Sequence, residues 1–296
     1  MKILTAYLLI ILSFLAGCTS DQNHKAQGDD TPGYEVLGDL TERYNNSAMT
    51  CKGNTPAFHC TGVLARVTDT LETSPSEQER NTVAFTFLRQ DTDISHLYRQ
   101  GKAGIVLRAI PYASVNGLNV RCSFPVNANT DARPDGCGKT TQTTQDPELS
   151  RYCDVQGVLD VERWHAHWLK IGKDQDFTCA FRPSAEQFAL SIKARNVLEF
   201  YYRKRWNEVV TSAWRTSDLG TVPFQAFFHN PSDPTGLKTA QELQVDFYTK
   251  TKIILPIIRL VLCGQTPDTA TFDYKPEDQL LRPPLPTTPS APDLTH

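Results

Sequence analysis

Apolar and polar positions alternate along much of the first half of the chain and recur at helical spacing along the second. Residues 82–88, TVAFTFL, set Val83, Phe85 and Phe87 against Thr82, Ala84 and Thr86. That period of two predicts a strand with two chemically different faces. Residues 62–67, 105–110 and 119–124 read as further strands, the last placing Val120, Cys122 and Phe124 on one side. The connections between these segments are too short for crossover helices, so the sheet is expected to be largely antiparallel.

The second half changes period. From Ser184 to Arg215 the apolar positions Phe188, Ile192, Leu198, Tyr202, Trp206, Val209 and Ala213 fall at steps of three, four or six, uninterrupted by Gly or Pro. The pattern predicts one long amphipathic helix with a single buried face, opened by a capping box of Ser184 and Gln187. Shorter helices are expected over residues 37–49, over 161–170 behind an Asp160 cap with Trp164 and Trp168 inward, and from Gly236. The apolar run 253–262 reads as a strand whose Pro256 suggests an edge or a bulge. The fold class that follows is α+β: a largely antiparallel sheet from the N-terminal half, packed against helices of the C-terminal half and braced by disulfides.

The two ends break these patterns. Met1-Lys2, an apolar run from Ile3 to Phe14 and Leu15-Ala16-Gly17-Cys18 resemble a bacterial lipoprotein signal, with residues 1–17 removed and Cys18 lipid-modified. About 12 apolar residues are short of the roughly 20 that span hydrocarbon, which predicts a tether. The expected location is the bacterial cell envelope, outer membrane favoured, with the domain outside the cytoplasm. Residues 18–33 read as a flexible spacer, 34–263 as one domain, and 264–296, ending PPLPTTPSAPDLTH, as a disordered proline-rich tail.

Seven cysteines remain besides Cys18, an odd number for an exported chain. Pairing neighbours across short loops joins Cys51 to Cys60, Cys122 to Cys137 and Cys153 to Cys179, each worth roughly 2–4 kcal/mol. Cys263 is left over as a buried thiol. A formal net charge of −3, with both signs interspersed, argues against nucleic acid as a partner. Two motifs mislead. Residues 136–140, GCGKT, lack the leading glycine of a phosphate loop, since Arg133 stands there, and read as a disulfide-tied turn. Glu77-Gln78-Glu79 reads as a solvated charge run, and His165 and His167 as surface histidines that share no metal.

Several phrases together resemble the halovibrin family of secreted bacterial proteins. They are Tyr44-Asn45-Asn46, Phe58-x-Cys60-x-Gly62-Val63-Leu64-x-Arg66, Phe85-Thr86-Phe87-Leu88-Arg89-x-Asp91, Gly136-Cys137-Gly138, and Trp206-Asn207-Glu208 with Trp214. Pro223-x-x-Ala226-Phe227-Phe228 and Gly236-Leu237-x-x-Ala240-Gln241-x-x-Gln244-x-Asp246-Phe247-Tyr248 continue the series to Leu255-Pro256-Ile257-Ile258-Arg259. Thr86 stands where a serine is expected, and Gln225 where a carboxylate is common.

The resemblance implies hydrolysis of NAD at the nicotinamide–ribose bond, with NAD as substrate and no bound cofactor or metal. A protein acceptor enters if ADP-ribose is transferred, but the Arg, Ser-Thr-Ser, Glu-x-Glu order of arginine-specific transferases is not recovered. The chemistry asks for a carboxylate beside an oxocarbenium-like sugar, and Glu208 is the candidate, placed on the predicted long helix. Arg89 is the candidate pyrophosphate clamp. Asn207, Trp214, Gln241, Gln244 and Asp246 are the candidate substrate-binding residues. Each has a plainer reading: an ion pair with Lys204 for Glu208, a strand-end charge for Arg89, a polar helix flank for the glutamines. The rival function is a non-catalytic envelope lipoprotein with a binding or structural role.

Overall fold

A computed structural model describes residues 31–92, 102–108, 118–138, 152–203, 206–262 and 269–282. The signal, Cys18, most of the spacer, Cys263 and the tail beyond Arg282 lie outside the described residues. Eight strands form one sheet: β1 (Val63–Val67), β2 (Val83–Leu88), β3 (Ala103–Leu107), β4 (Val120–Phe124), β5 (Glu208–Thr211), β6 (Phe224–His229), β7 (Ile257–Leu262) and β8 (Ala270–Asp273). Their order is β4-β5-β2-β1-β3-β6-β7-β8. Every pairing is antiparallel except β6 with β7, whose parallel connection runs through a helix. The helices are α1 (Thr31–Asn45), α2 (Pro75–Arg80), α3 (Val161–Lys170), α4 (Ala185–Asn196), α5 (Phe200–Arg203) and α6 (Gly236–Thr251). The fold is α+β, and four strands from the second half complete the sheet begun by the first.

The long helix expected over 184–215 is three elements. Ser184 caps α4, accepting the Gln187 N–H at 3.2 Å, but the predicted capping box is only half formed, because Gln187 Oε1 has no partner among the described residues. The helix then ends at Asn196, a short α5 follows, and the chain enters β5. Consecutive β-branched Val209, Val210 and Thr211 favour a strand once β2 and β4 offer hydrogen bonds on both sides. Tertiary pairing overrides the helical periodicity. The assignment of residues 264–296 to a disordered tail also needs correction. Residues 270–273 pair with β7, and Phe272, Tyr274 and Asp278 are buried. β7 is therefore interior, and Pro256 precedes it without interrupting it. Helix α1 likewise starts within the predicted spacer.

Both faces of the sheet are covered, but differently. Helices α4 and α6 pack on one face, where Phe85, Ile105, Phe188, Leu243 and Phe247 belong to a single cluster. On the other face α1 covers the β1-β3-β6-β7-β8 end through Leu40 and Tyr44. The disulfide-tied segment after β4 covers the opposite end, with Phe124, Cys137 and Val210 in contact. A fourth cluster holds Trp164 and Trp168, stacked at 5.6 Å between ring centroids.

The three predicted disulfides are present, with Cα separations of 5.8 Å (Cys51–Cys60), 6.0 Å (Cys122–Cys137) and 4.9 Å (Cys153–Cys179). The Gly136 turn has φ +71°, and Asp135 Oδ1 accepts the N–H groups of Cys137 and Gly138, as a disulfide-tied turn requires. Among the described residues no helix is long and apolar enough to cross a membrane.

Two surface readings are revised. Glu77 completes a capping box with Ser74 and pairs with Arg66 at 2.8 Å, so it is a half-buried structural group. His167 is buried and its Nε2 accepts the Cys179 N–H at 3.3 Å, while burial pushes the ring down to about 4. Because the folded value lies below the ordinary 6.5, folding excludes a proton, and stability is lost as pH falls from about 6.5 towards 4. His167→Gln, which keeps an acceptor and a donor, is expected to flatten that acid limb while costing about 1 kcal/mol at pH 7. Urea unfolding at pH 4 and pH 7 checks both.

Candidate active site

The register sets out a row of cross-strand neighbours on the face that α1 only partly covers. Phe124 pairs with Glu208, Ala65 with Thr86 and with Val106, and Val106 with Ala226. Continuing the β2–β5 register by one residue sets Glu208 beside Thr86. Phe124 at one end of the row belongs to the disulfide cap, and Val106 and Ala226 at the other to the α1 cluster. Between these covers the sheet carries small side chains, and a cavity of about 300 Å³ opens there, lined by Ala65, Val67, Ala84, Thr86, Trp206 and Glu208. Strand alternation turns Arg66 and Phe85, which also border it, to the opposite face.

Glu208 is the one nominated residue that the cavity contains. It lies on a strand, and the expectation that it stands on a long helix is overturned; Lys204 lies outside the described residues. Its side chain is 5% exposed, and Oε2 accepts the Ala128 N–H at 3.0 Å. Burial raises the carboxyl from 4.5 to about 7, a rise opposed by the Ala128 N–H, the Arg133 charge and a hydrogen bond from Trp206. Arg133 anchors the loop that carries Ala128. Fully buried, it donates to the carbonyls of Ala128, Cys137, Asp176 and Thr178 at 2.8–3.1 Å and sits 4.8 Å from the Phe124 ring centroid. Burial lowers its guanidinium to about 10, so it remains a cation at neutral pH. The arrangement supplies a carboxyl that exchanges its proton near neutrality, held by two donors at the end of an open, mostly apolar cleft.

The other nominated residues are engaged elsewhere. Arg89 is 0% exposed; Nε and Nη2 meet Asp91 at 2.6 and 2.7 Å, and Nη1 meets the Ala48 carbonyl and, at 3.5 Å, Thr61 Oγ1. With Nη2 also against the Met49 sulfur, its five donors are occupied, and it is no pyrophosphate clamp. Asn207 turns its amide to the backbone of Phe87, accepting its N–H at 2.8 Å and donating to its carbonyl at 2.9 Å. It extends the β2–β5 ladder. Trp214 is buried among Phe85 and Phe224, its indole N–H on the Leu71 carbonyl.

Gln241, Gln244 and Asp246 lie on α6, which covers the face opposite Glu208. Gln241 donates to the Asp278 carbonyl, Gln244 ties Leu255 to Leu280 and Leu281, and Asp246 pairs with Lys250 at 2.9 Å. Gln225 bridges Arg43 and Asp39, joining α1 to β6. These are fastening bonds, and none reaches the cavity.

Neither protein-family models nor curated proteins match this chain. Among the described residues there is no group of three or more His, Cys, Asp or Glu side chains that could hold a metal ion.

Thr86, Ala65, Ala84 and Trp206 were not singled out from sequence as lining residues. The pattern that could have found Thr86 and Ala84 is the TVAFTFL alternation itself. Its Phe/Val face predicts a core, and its Ala/Thr face is too small to fill one.

Proposed function

We propose that this chain is an extracytoplasmic, lipid-tethered hydrolase that cleaves NAD at the nicotinamide–ribose bond, with Glu208 as its reacting carboxylate. The observation that carries the reading is the Glu208 carboxyl, raised to about 7 at the end of an open cleft beside an indole. The ordered resemblance to the halovibrin family supplies the substrate. Three disulfides fit an oxidising compartment, and the Cys18 signal supplies the anchor.

In the reaction the C1′–N bond breaks with its electron pair passing to the pyridinium ring, which leaves as neutral nicotinamide. Ionised Glu208 stabilises the positive charge that develops on the ribosyl carbon. Water adds to that carbon, and the proton it loses passes to the carboxylate and then to solvent. The ionised form is the competent one, so kcat/KM is expected to rise with pH and level off above about 7. In a nicotinamide-release assay on the mature, oxidised chain, Glu208→Gln is expected to lower turnover at least about 100-fold, some 2.7 kcal/mol of barrier. Equal rates in both proteins would remove Glu208 from the mechanism.

One observation favours a second reading. Six of the seven nominated side chains are engaged in fastening bonds or ion pairs away from the cleft, as in a binding or structural lipoprotein whose scaffold persists without catalysis. A folded wild type with no turnover would establish that alternative.

A further inference from the structure

We infer that Thr86 is a ligand-reading residue, and that the floor of the cleft takes a flat heteroaromatic ring whose carboxamide bonds to its hydroxyl. Thr86 is 5% exposed, yet its Oγ1 makes no hydrogen bond with any described residue. The residue is buried as a whole, but its hydroxyl keeps an accessible edge that opens onto the cavity, where water or a ligand group meets it. Thr86 lines the cavity on the strand face shared with Ala65 and Ala84. Thr211, on the neighbouring strand, shows the usual solution, with its hydroxyl on the Val83 carbonyl.

The surroundings of that hydroxyl define the ligand. Ala65 and Ala84 leave a low apolar floor with Val67 beside them and the Trp206 indole at the side. A flat ring fits that floor, whereas a sugar would bury hydroxyls against methyl groups without partners. A plain hydrocarbon ring would leave Oγ1 still unpaired. Cross-strand neighbours stand about 4.5–5.5 Å apart at Cβ, so Glu208 lies within reach of the same ligand. A carboxylate substituent would face Glu208 as a like charge once both are ionised. A carboxamide is neutral, and it offers Thr86 either an acceptor or a donor. The choice of ring follows from the hydrolase reading: it places nicotinamide on the floor and its ribosyl carbon towards Glu208.

The test is an NMR titration of the full chain with three probes: nicotinamide, nicotinate and pyridine. The wild type is expected to bind nicotinamide at least about ten times more tightly than pyridine or, at pH 8, nicotinate. Thr86→Val keeps the branched shape and deletes the hydroxyl. It is expected to abolish the preference, leave pyridine binding unchanged, and leave the unfolding midpoint equal or higher, because no protein hydrogen bond is lost. A preference that survives Thr86→Val, an equal loss for all probes, or a wild type without preference would overturn the inference. The NAD assay separates the two readings. Cleavage without carboxamide preference sinks the subsite alone, and preference without cleavage sinks the hydrolase alone.

Discussion

Glu208→Gln is expected to unfold at higher urea than the wild type at pH 8.5 and at nearly the same urea at pH 4.5. The carboxyl ordinarily titrates at 4.5 and is raised to about 7 in the fold, mainly by burial. Between those values the folded chain keeps a proton that the unfolded chain has released, so wild-type stability falls as pH rises through the window. Below it both states are protonated and the contribution vanishes. Above it the buried charge costs on the order of 3 kcal/mol. Glutamine carries no charge, retains an oxygen for the Ala128 N–H, and escapes that cost. A stability difference that does not change with pH would show that Glu208 does not titrate in this window. Combined with the expected loss of turnover, the substitution trades activity for stability, the behaviour of a group held for chemistry at the expense of the fold.

Arg89→Met is expected to destabilise the domain by about 3 kcal/mol, with NAD turnover unchanged wherever the protein remains folded. The guanidinium has no exposed surface and joins Asp91 through two bonds to Ala48 and Thr61, two segments distant in sequence. Methionine retains much of the apolar stem but leaves Asp91 and the Ala48 carbonyl without their donor, and breaking a buried pair costs about 3–5 kcal/mol. Asp91 is 29% exposed and recovers some hydration, which sets the estimate at the lower end. A fall in urea midpoint at constant slope measures the loss. Retained stability with a raised KM for NAD would restore Arg89 as a substrate ligand.

These two arginine and glutamate outcomes reverse what local spacing suggests. Arg89 has the motif position of a clamp and the environment of a rivet; Glu208 has the spacing of a helix-surface ion pair and the environment of a cleft. Asn207 and Gln244 follow Arg89, because an amide on an amphipathic segment looks the same from sequence whether it meets ligand or backbone. What distinguishes them is a partner tens to more than a hundred residues away: Phe87 for Asn207, Leu280 and Leu281 for Gln244.

The sequence by itself determined the α+β class, strands β1 to β4 to within a few residues, the Asp160 and Ser184 caps and the three disulfide pairings. Each depends on side-chain alternation, a capping hydroxyl or carboxylate, or a short loop, all written within some 30 residues. Only the tertiary structure decided that the segment after Asn196 becomes β5, that residues 270–273 close the sheet, and that Glu208 and Thr86 stand side by side. The first and third come from pairing between segments more than a hundred residues apart, whereas β8 pairs with β7 residues only 8–14 positions before it. A strand inserted between β2 and β4 gains hydrogen bonds on both edges, a gain that no local pattern records. The cleft has the same origin. It exists because two covers, α1 and the disulfide-tied loop, approach one sheet face from opposite ends and leave the small side chains of β1 and β2 open between them.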